Sequence, residues 1–140
     1  MVLPDEFNAA THFVDRHISD GRGPKVAIEC EERQVSYQQL FEMVNQVGNC
    51  LRKLGVRIEE RVFLLLFDTP EFAAGFFGAI KIGAVPVPVN TLLKPADYTY
   101  LLNDSRARIA IVSEGLLPVI KAIPRQSLKF LETILVCRPS

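Results

Sequence analysis

The side chains able to do chemistry are few in this sequence, and scattered. Gly78-Ala-Ile-Lys-Ile-Gly83 has the four-residue gap of a phosphate-binding loop. Such a loop places a lysine and a hydroxyl directly after its second glycine, where they reach the phosphates and their metal. Ala84 and Val85 stand at those positions, so the match fails on chemistry. Gly75 and Gly78 read instead as small surfaces for close helix packing. The adjacent acids Glu31 and Glu32 could be paired for acid–base work, but neighbouring charges at a turn are ordinarily just solvated. His12 and His17 are five apart, about 140° around a helix, so they share no metal-binding face. Cys30, Cys50 and Cys137 contain no Cys-x-x-Cys pair. That speaks against zinc and against a disulfide framework, and for small buried thiols in a reducing cytoplasm. No metal site is expected.

Composition narrows the classes. The 140 residues are one domain's worth, and a domain of this size buries roughly 70% of its unfolded surface. Hydrophobic residues make up 49% and charged residues 23%, the balance of a globular rather than a disordered chain. Sixteen basic residues meet sixteen acidic ones, so no basic stripe points to nucleic acid or to an anionic membrane. Met1 to Phe7 has neither a basic nor an apolar signal region, so no secretory leader is expected. Only Lys81 is charged between Phe72 and Leu93. A membrane span needs about 20 continuous apolar residues, and Gly83, Pro86 and Pro88 interrupt this run too early. No membrane partner is expected.

Positioning these residues falls to an alternation of elements. Asn8 can cap a short helix over residues 8–20, with Phe13, Val14, His17 and Ile18 as its apolar stripe. Val26, Ile28 and Cys30 alternate with polar residues and pair with residues 34–37 across a turn at 31–34, a hairpin. Ser36 to Gln39 fits a capping box, and the helix it opens carries Leu40, Val44, Val47 and Leu51 on one side, up to a stop at Gly55. Gly48 inside it predicts close approach by a neighbour. Residues 61–67 lack polar alternation, as in a strand covered on both faces. A cap at Asp68 or Thr69, then Pro70, starts an apolar helix over 72–82 that Gly83 stops. Residues 84–89 are extended, and Pro86 and Pro88 mark them as an edge strand. Asn90 reads as a turn former. A helix starting at Lys94–Asp97 carries Tyr98, Leu101 and Leu102; Tyr100 points to a different side from Tyr98, so at most one of them is core. A strand at 109–113, a short helix at 116–123 and a strand at 133–137 complete the series. The fold class is therefore α/β: a mostly parallel sheet with crossover helices plus a short N-terminal hairpin.

Several of these stretches look alike in another context. Val35-Ser-Tyr-Gln-Gln-Leu40 resembles the first core motif of the adenylate-forming acyl-CoA synthetase superfamily, a Thr/Ser-Tyr-x-Glu-Leu pattern that opens a helix. Ile80-Lys-Ile-Gly-Ala-Val-Pro-Val-Pro-Val89 resembles the second, where a helix ends in Gly-Ala and passes to Val-Pro. Residues 61–67 between them match in order and spacing. Pro88-Val-Asn-Thr-Leu-Leu93, Asp97-Tyr98-x-Tyr100 and Asp104-Ser-Arg-Ala107 are similar to benzoate-CoA ligases in particular. The resemblance runs from about Phe7 to the end.

That resemblance implies a two-step ligase. ATP with Mg2+ would convert benzoate or a related aryl carboxylate to an acyl-adenylate and pyrophosphate. The thiol of coenzyme A would then displace AMP. It also implies that residues 1–140 are the N-terminal portion of a large AMP-binding domain, ending before the catalytic parts and before a mobile C-terminal domain. The Gly/Ser/Thr-rich loop ending in Pro-Lys that such chemistry needs does not occur in the sequence, nor does any segment matching an aryl-acid pocket. The fragment itself is thus expected to be silent, with no catalytic residue and no cofactor bound tightly. The resemblance offers Lys94 as a contact to the phosphates of coenzyme A at the domain rim; related ligases carry a basic residue about two positions earlier, where Leu92 stands. The alternative is a self-standing small α/β module that binds a nucleotide or a protein. A piece deprived of its covering elements should expose apolar surface around residues 62–89 and self-associate, for example as a homodimer.

Overall fold

A computed structural model describes residues 6–138, so Met1–Asp5, most of the stretch read above against a leader, and Pro139–Ser140 lie outside the described residues. Four parallel strands form the sheet: β3 (Arg61–Leu65), β4 (Val85–Pro88), β5 (Ile109–Ser113) and β6 (Thr133–Cys137), in the order β4-β3-β5-β6. The hairpin of β1 (Val26–Cys30) and β2 (Arg33–Ser36) is a separate antiparallel pair.

Strand side chains alternate between faces, and both faces are covered. Val62 and Leu64 pack with Leu51 of α2 (Tyr37–Lys53) and with Ala79 of α3 (Pro70–Lys81). Phe63 and Leu65 face the other way, onto Tyr98 and Leu102 of α4 (Pro95–Ser105) and Ile120 of α5 (Leu117–Lys121). The continuous apolar run after Arg61 therefore reflects burial from both sides. Beyond α2 and α3 lies a further layer. Val14 of the N-terminal helix and Val35 of the hairpin pack there with Leu40 and Val44.

The two sheet-covering helices cross at glycines, as the sequence predicts. A Cβ on Gly78 would sit 2.9 Å from Val47 and 3.1 Å from the Val44 carbonyl, and one on Gly48 would lie 3.2 Å from Ile82. Gly83 takes φ 80°, a left-handed turn that lets the chain drop from α3 straight into β4. Lys81, alone in its apolar surroundings, is not wasted on solvent. Its ammonium meets Asp15 at 2.7 Å and lies 4.5 Å from the Phe41 ring centre, while the Asn8 amide donates to the Ile80 carbonyl at 2.9 Å. The N-terminal helix is clamped onto α3 this way.

Strand β4 is the edge strand its prolines announce. The Val85 and Val89 amides donate towards β3, to the carbonyls of Glu60 at 2.8 Å and Leu64 at 3.1 Å. The intervening Pro86 and Pro88 nitrogens hence face outward, where an N–H would lack a strand partner.

Some expectations are corrected. The N-terminal helix caps on Asn8, whose side chain accepts from the Ala10 amide at 2.9 Å. It then runs as a wide π-type turn at Thr11–Asp15 before α1 (Arg16–Ser19). The wider turn rotates the predicted stripe, so Val14 is buried but Phe13 is 55% exposed. The hairpin turn needs only Glu31 and Glu32, with Glu31 at φ 54°, so β2 begins at Arg33 and not after it. Strand β3 stops at Leu65 rather than Phe67, whose amide donates to a side chain, the Ser113 hydroxyl, in place of a backbone carbonyl. The apolar helix opens at Pro70 behind Thr69, as expected, but Thr69 caps it by backbone conformation without a side-chain bond, and the helix ends at Lys81. Residues 114–116 and 125–127 form short 3-10 turns on either side of α5. None of the thiols is fully buried: Cys30 and Cys137 are half-buried, and Cys50 is exposed on α2, next to buried Leu51.

Candidate functional site

In open parallel sheets, ligands bind beyond the carboxyl ends of the strands where the connections diverge. Here β3 leads through α3 to β4 on one side, and β5 leads through α5 to β6 on the other. The divergence lies between β3 and β5, and the residues that follow these strands are Leu66–Asp68 and Glu114–Gly115.

Local chemistry holds these loops in place. Ser113 closes an apolar strand, is 7% exposed, and its Oγ accepts the Phe67 amide hydrogen at 3.0 Å. The Phe67 ring then lies over Gly115, where an added Cβ would be 3.2 Å from the ring. Next to this anchor a cleft of about 350 Å³ opens beyond the ends of β3 and β4. Its floor is Leu66, Phe72, Pro88 and Val89, and its rim is Phe67, Asp68, Asn90 and Thr91. Asn90 is the turn former expected: its side chain accepts from the Leu92 amide at 2.8 Å, and its carbonyl accepts from the Tyr98 hydroxyl at 2.8 Å. That bond explains why Tyr98 is fully buried and Tyr100 is exposed.

Lys94 stands four positions past Asn90, at the N-cap of α4, with its amide donating to the Asp97 carboxylate at 3.0 Å. Its side chain is exposed and does not line the cleft. Asp68 is the one charged group of the lining, which contains no cation, histidine or thiol. Among the described residues no three of His, Cys, Asp and Glu gather into a metal-binding set. The cleft therefore has a shape and a hydrogen-bonding rim, and no nucleophile–base pair.

An ion pair flanks the site. Arg33 of β2 meets Glu71, in the first turn of α3, at 2.8 Å, and Cys30 Sγ lies 3.9 Å from the Asp68 carbonyl. Desolvation pushes the Glu71 carboxyl up, but the hydrogen bond from Arg33 and others around it outweigh this and hold it below the usual carboxylate range. Burial, then the Glu71 charge, push the Cys137 thiol up, so it is a poor nucleophile. Sequence reasoning missed Ser113 and the Arg33–Glu71 pair. A lone hydroxyl ending an apolar strand was a usable signal for Ser113. Nothing local links Arg33 to Glu71.

The comparisons with known proteins agree with this architecture. The family described as AMP-binding enzyme matches residues 15–137. The 4-hydroxybenzoate–CoA/benzoate–CoA ligase of Rhodopseudomonas palustris is 47% identical over 116 residues, 83% of this chain and 22% of that protein. The benzoate–CoA ligase of Thauera aromatica is 41% identical over 118 residues, 84% of this chain and 22% of the relative. Among solved structures, an anthranilate CoA ligase in complex with anthranoyl-AMP superimposes with a TM-score of 0.90 at 43% identity, covering 96% of this chain and 26% of that one. A benzoate CoA ligase from Burkholderia xenovorans LB400 gives 0.82 at 33% identity, over 96% and 26%. The chain thus spans about a fifth to a quarter of the length of these relatives, in their N-terminal part. A self-standing module gains no support from them. The motifs at Val35–Leu40 and Ile80–Val89 sit where the fold turns, one capping α2 and the other passing from α3 into β4, and with the family match across most of its length the chain belongs to the AMP-binding enzymes.

Proposed function

We propose that the protein carrying these residues is an AMP-forming ligase that joins an aryl carboxylate of the benzoate type to coenzyme A. The observation behind this reading is the likeness to benzoate-type CoA ligases in both sequence and fold. In it, residues 1–140 are the N-terminal portion of the large domain and serve as scaffold: β3, β5 and their covering helices supply a rigid floor against which the reacting parts assemble.

The residues present do not fit ATP. The cleft beyond β3 and β4 presents a carboxylate and no cation to a triphosphate, and no phosphate-cradling loop stands beside it. No step of the reaction is therefore routed through these side chains. Asn90 orders the rim through its bonds to the Leu92 amide and the Tyr98 hydroxyl, and Ser113 fixes its height above the sheet. Lys94, exposed at the start of α4, is proposed as a rim contact for the phosphates of coenzyme A, through charge alone. The free thiols Cys30, Cys50 and Cys137 suit a cytoplasmic location. The apolar surface expected around residues 62–89 is mostly covered, with Phe67 and Val85 its exposed large side chains, so self-association of residues 1–140 is proposed instead at the β6 edge, where Val136 is exposed.

The test is ATP–pyrophosphate exchange dependent on the acid. The intact protein should support exchange with benzoate, a hydroxybenzoate or anthranilate, and residues 1–140 by themselves should not. An intact protein that is inactive with all three acids overturns the substrate class.

A further inference from the structure

The opposite end of the sheet carries a second feature, unrelated to the cleft. Where β3 and β5 begin, a cavity of about 150 Å³ is lined by Val56, Glu60, Arg61, Arg106, Arg108 and Ile109. Three guanidinium groups and one carboxylate line it, and a second carboxylate, Glu132, pairs with Arg108 at its side. Two of the three guanidinium groups are fixed by the fold. Arg61 donates to the Ser105 carbonyl at 2.7 Å and to the Glu59 carbonyl at 3.1 Å. Arg108 grips the Glu132 carboxylate through two nitrogens at 3.0 and 2.8 Å, and its third nitrogen lies 3.4 Å from Glu60. Arg106 differs. Its side chain is exposed and has no hydrogen-bond or ion-pair partner among the described residues.

The backbone sharpens the contrast. Arg106 ends α4 in the left-handed region at φ 54°, and Glu59, beside Glu60, has φ 66°. A left-handed helix stop is best made by glycine or asparagine, which lack the steric penalty of a long side chain. The turn explains the conformation and leaves the arginine unexplained. Residues held in such conformations gather at binding sites, where the surrounding structure maintains them. Among the described residues, two of the three non-glycine residues with positive φ stand here, Arg106 in the lining and Glu59 next to Glu60 of the lining.

We propose that this cavity binds an oxyanion of the phosphate class, with Arg106 as its unpaired ligand and Arg61 and Arg108 as a pre-set wall. Guanidinium forks suit tetrahedral oxyanions because two parallel N–H groups meet two oxygens. The cavity, about 150 Å³, has room for one such ion. Arg61 also covers the Ser105 carbonyl, which at the negative end of α4 would otherwise repel an anion. Glu60 opposes binding, and more strongly the higher the charge of the ion.

The test follows phosphate binding to the intact protein by 31P line broadening and by unfolding temperature, with chloride at equal ionic strength as control and no carboxylic acid or ATP present. Its outcome is therefore independent of the ligase reading. Saturable binding of inorganic phosphate is expected. Arg106→Gly removes the guanidinium and relaxes the backbone, so it should weaken phosphate at least tenfold while the phosphate-free protein melts no lower. Arg106→Asn, which also tolerates the left-handed turn, should do the same. Glu60→Gln should tighten binding several-fold. Glycerol phosphate separates the sources: binding equal to inorganic phosphate means the site takes the end of a larger ester, and binding of the free ion alone means a closed site. Phosphate also stabilises proteins by exclusion from their surface, an unsaturable effect. A linear response, shared unchanged by Arg106→Gly, overturns the proposal, as does a Glu60→Gln protein that binds no better.

Discussion

The Phe67 amide donates to Ser113 Oγ at 3.0 Å, tying the chain just past β3 to the last residue of β5. A side chain thus continues the ladder for one step after the strands' own pairing has ended at Leu65. The loop beyond, Asp68–Pro70, inherits its height from this bond, and so does the start of α3.

Ser113→Ala should leave the Phe67 amide without its partner in a partly buried place. A loss of about 1 kcal/mol in urea unfolding is expected, since an unmade buried bond costs more than the bond's net worth. An unchanged midpoint would mean that the amide finds water.

At the crossing of α2 and α3, helix propensity and packing oppose each other. Alanine at Gly78 gains about 1 kcal/mol of propensity. It also drives a methyl to 2.9 Å from Val47 and 3.1 Å from a carbonyl, an overpacking that costs about 1–3 kcal/mol. Gly78→Ala should therefore destabilise in a thermal melt, and by more than Gly48→Ala, whose nearest neighbours, an Ile82 methyl and the Gly78 carbonyl, are at 3.2 and 3.3 Å. The reverse order would contradict the helix crossing described.

Lys81→Met should release the N-terminal helix without unfolding the sheet. The ion pair with Asp15 is only partly buried, so the global loss is on the order of 1 kcal/mol or less. Amide exchange at residues 12–19 should accelerate, while that of β3 and β5 stays put. Equal acceleration everywhere would show that the clamp belongs to the global core.

Glu71 sets a pH dependence of known sign. Its carboxyl is depressed in the folded protein below the ordinary value of 4.5, so the unfolded chain binds the proton more readily. The stability it confers is full above the unfolded value and drains away as pH falls through the folded one. Melting temperature should drop on acidification from about pH 6 to about pH 3, and Glu71→Gln should flatten the slope. A variant with the same slope as the parent assigns the acid sensitivity elsewhere.

The parts of the fold legible in the sequence are those where a local pattern has a single physical solution. The Ser36–Gln39 box closes as read, with the Ser36 hydroxyl accepting from Gln39 at 3.2 Å and the Gln39 side chain accepting from Ser36 at 2.8 Å. Unbroken apolarity at 62–65 meant two covered faces, and the prolines at 86 and 88 meant an edge. The site was less legible because its bonds join distant positions. Ser113 and Phe67 are 46 residues apart, and Arg33 and Glu71 are 38 apart. Phe13 was misplaced for a different reason: a single wide turn shifts the face of everything around it, and no residue type encodes it.

The outward-facing prolines of β4 give the sheet a direction of growth. Pro86 and Pro88 offer a neighbouring strand carbonyls and no hydrogens, so that flank acts as a terminator. Strand β6 carries no proline from Thr133 to Cys137 and keeps its donors. Any further strand, whether from the same polypeptide or from a second copy, is thereby steered to one side, and the order of assembly is written into two residues at the other.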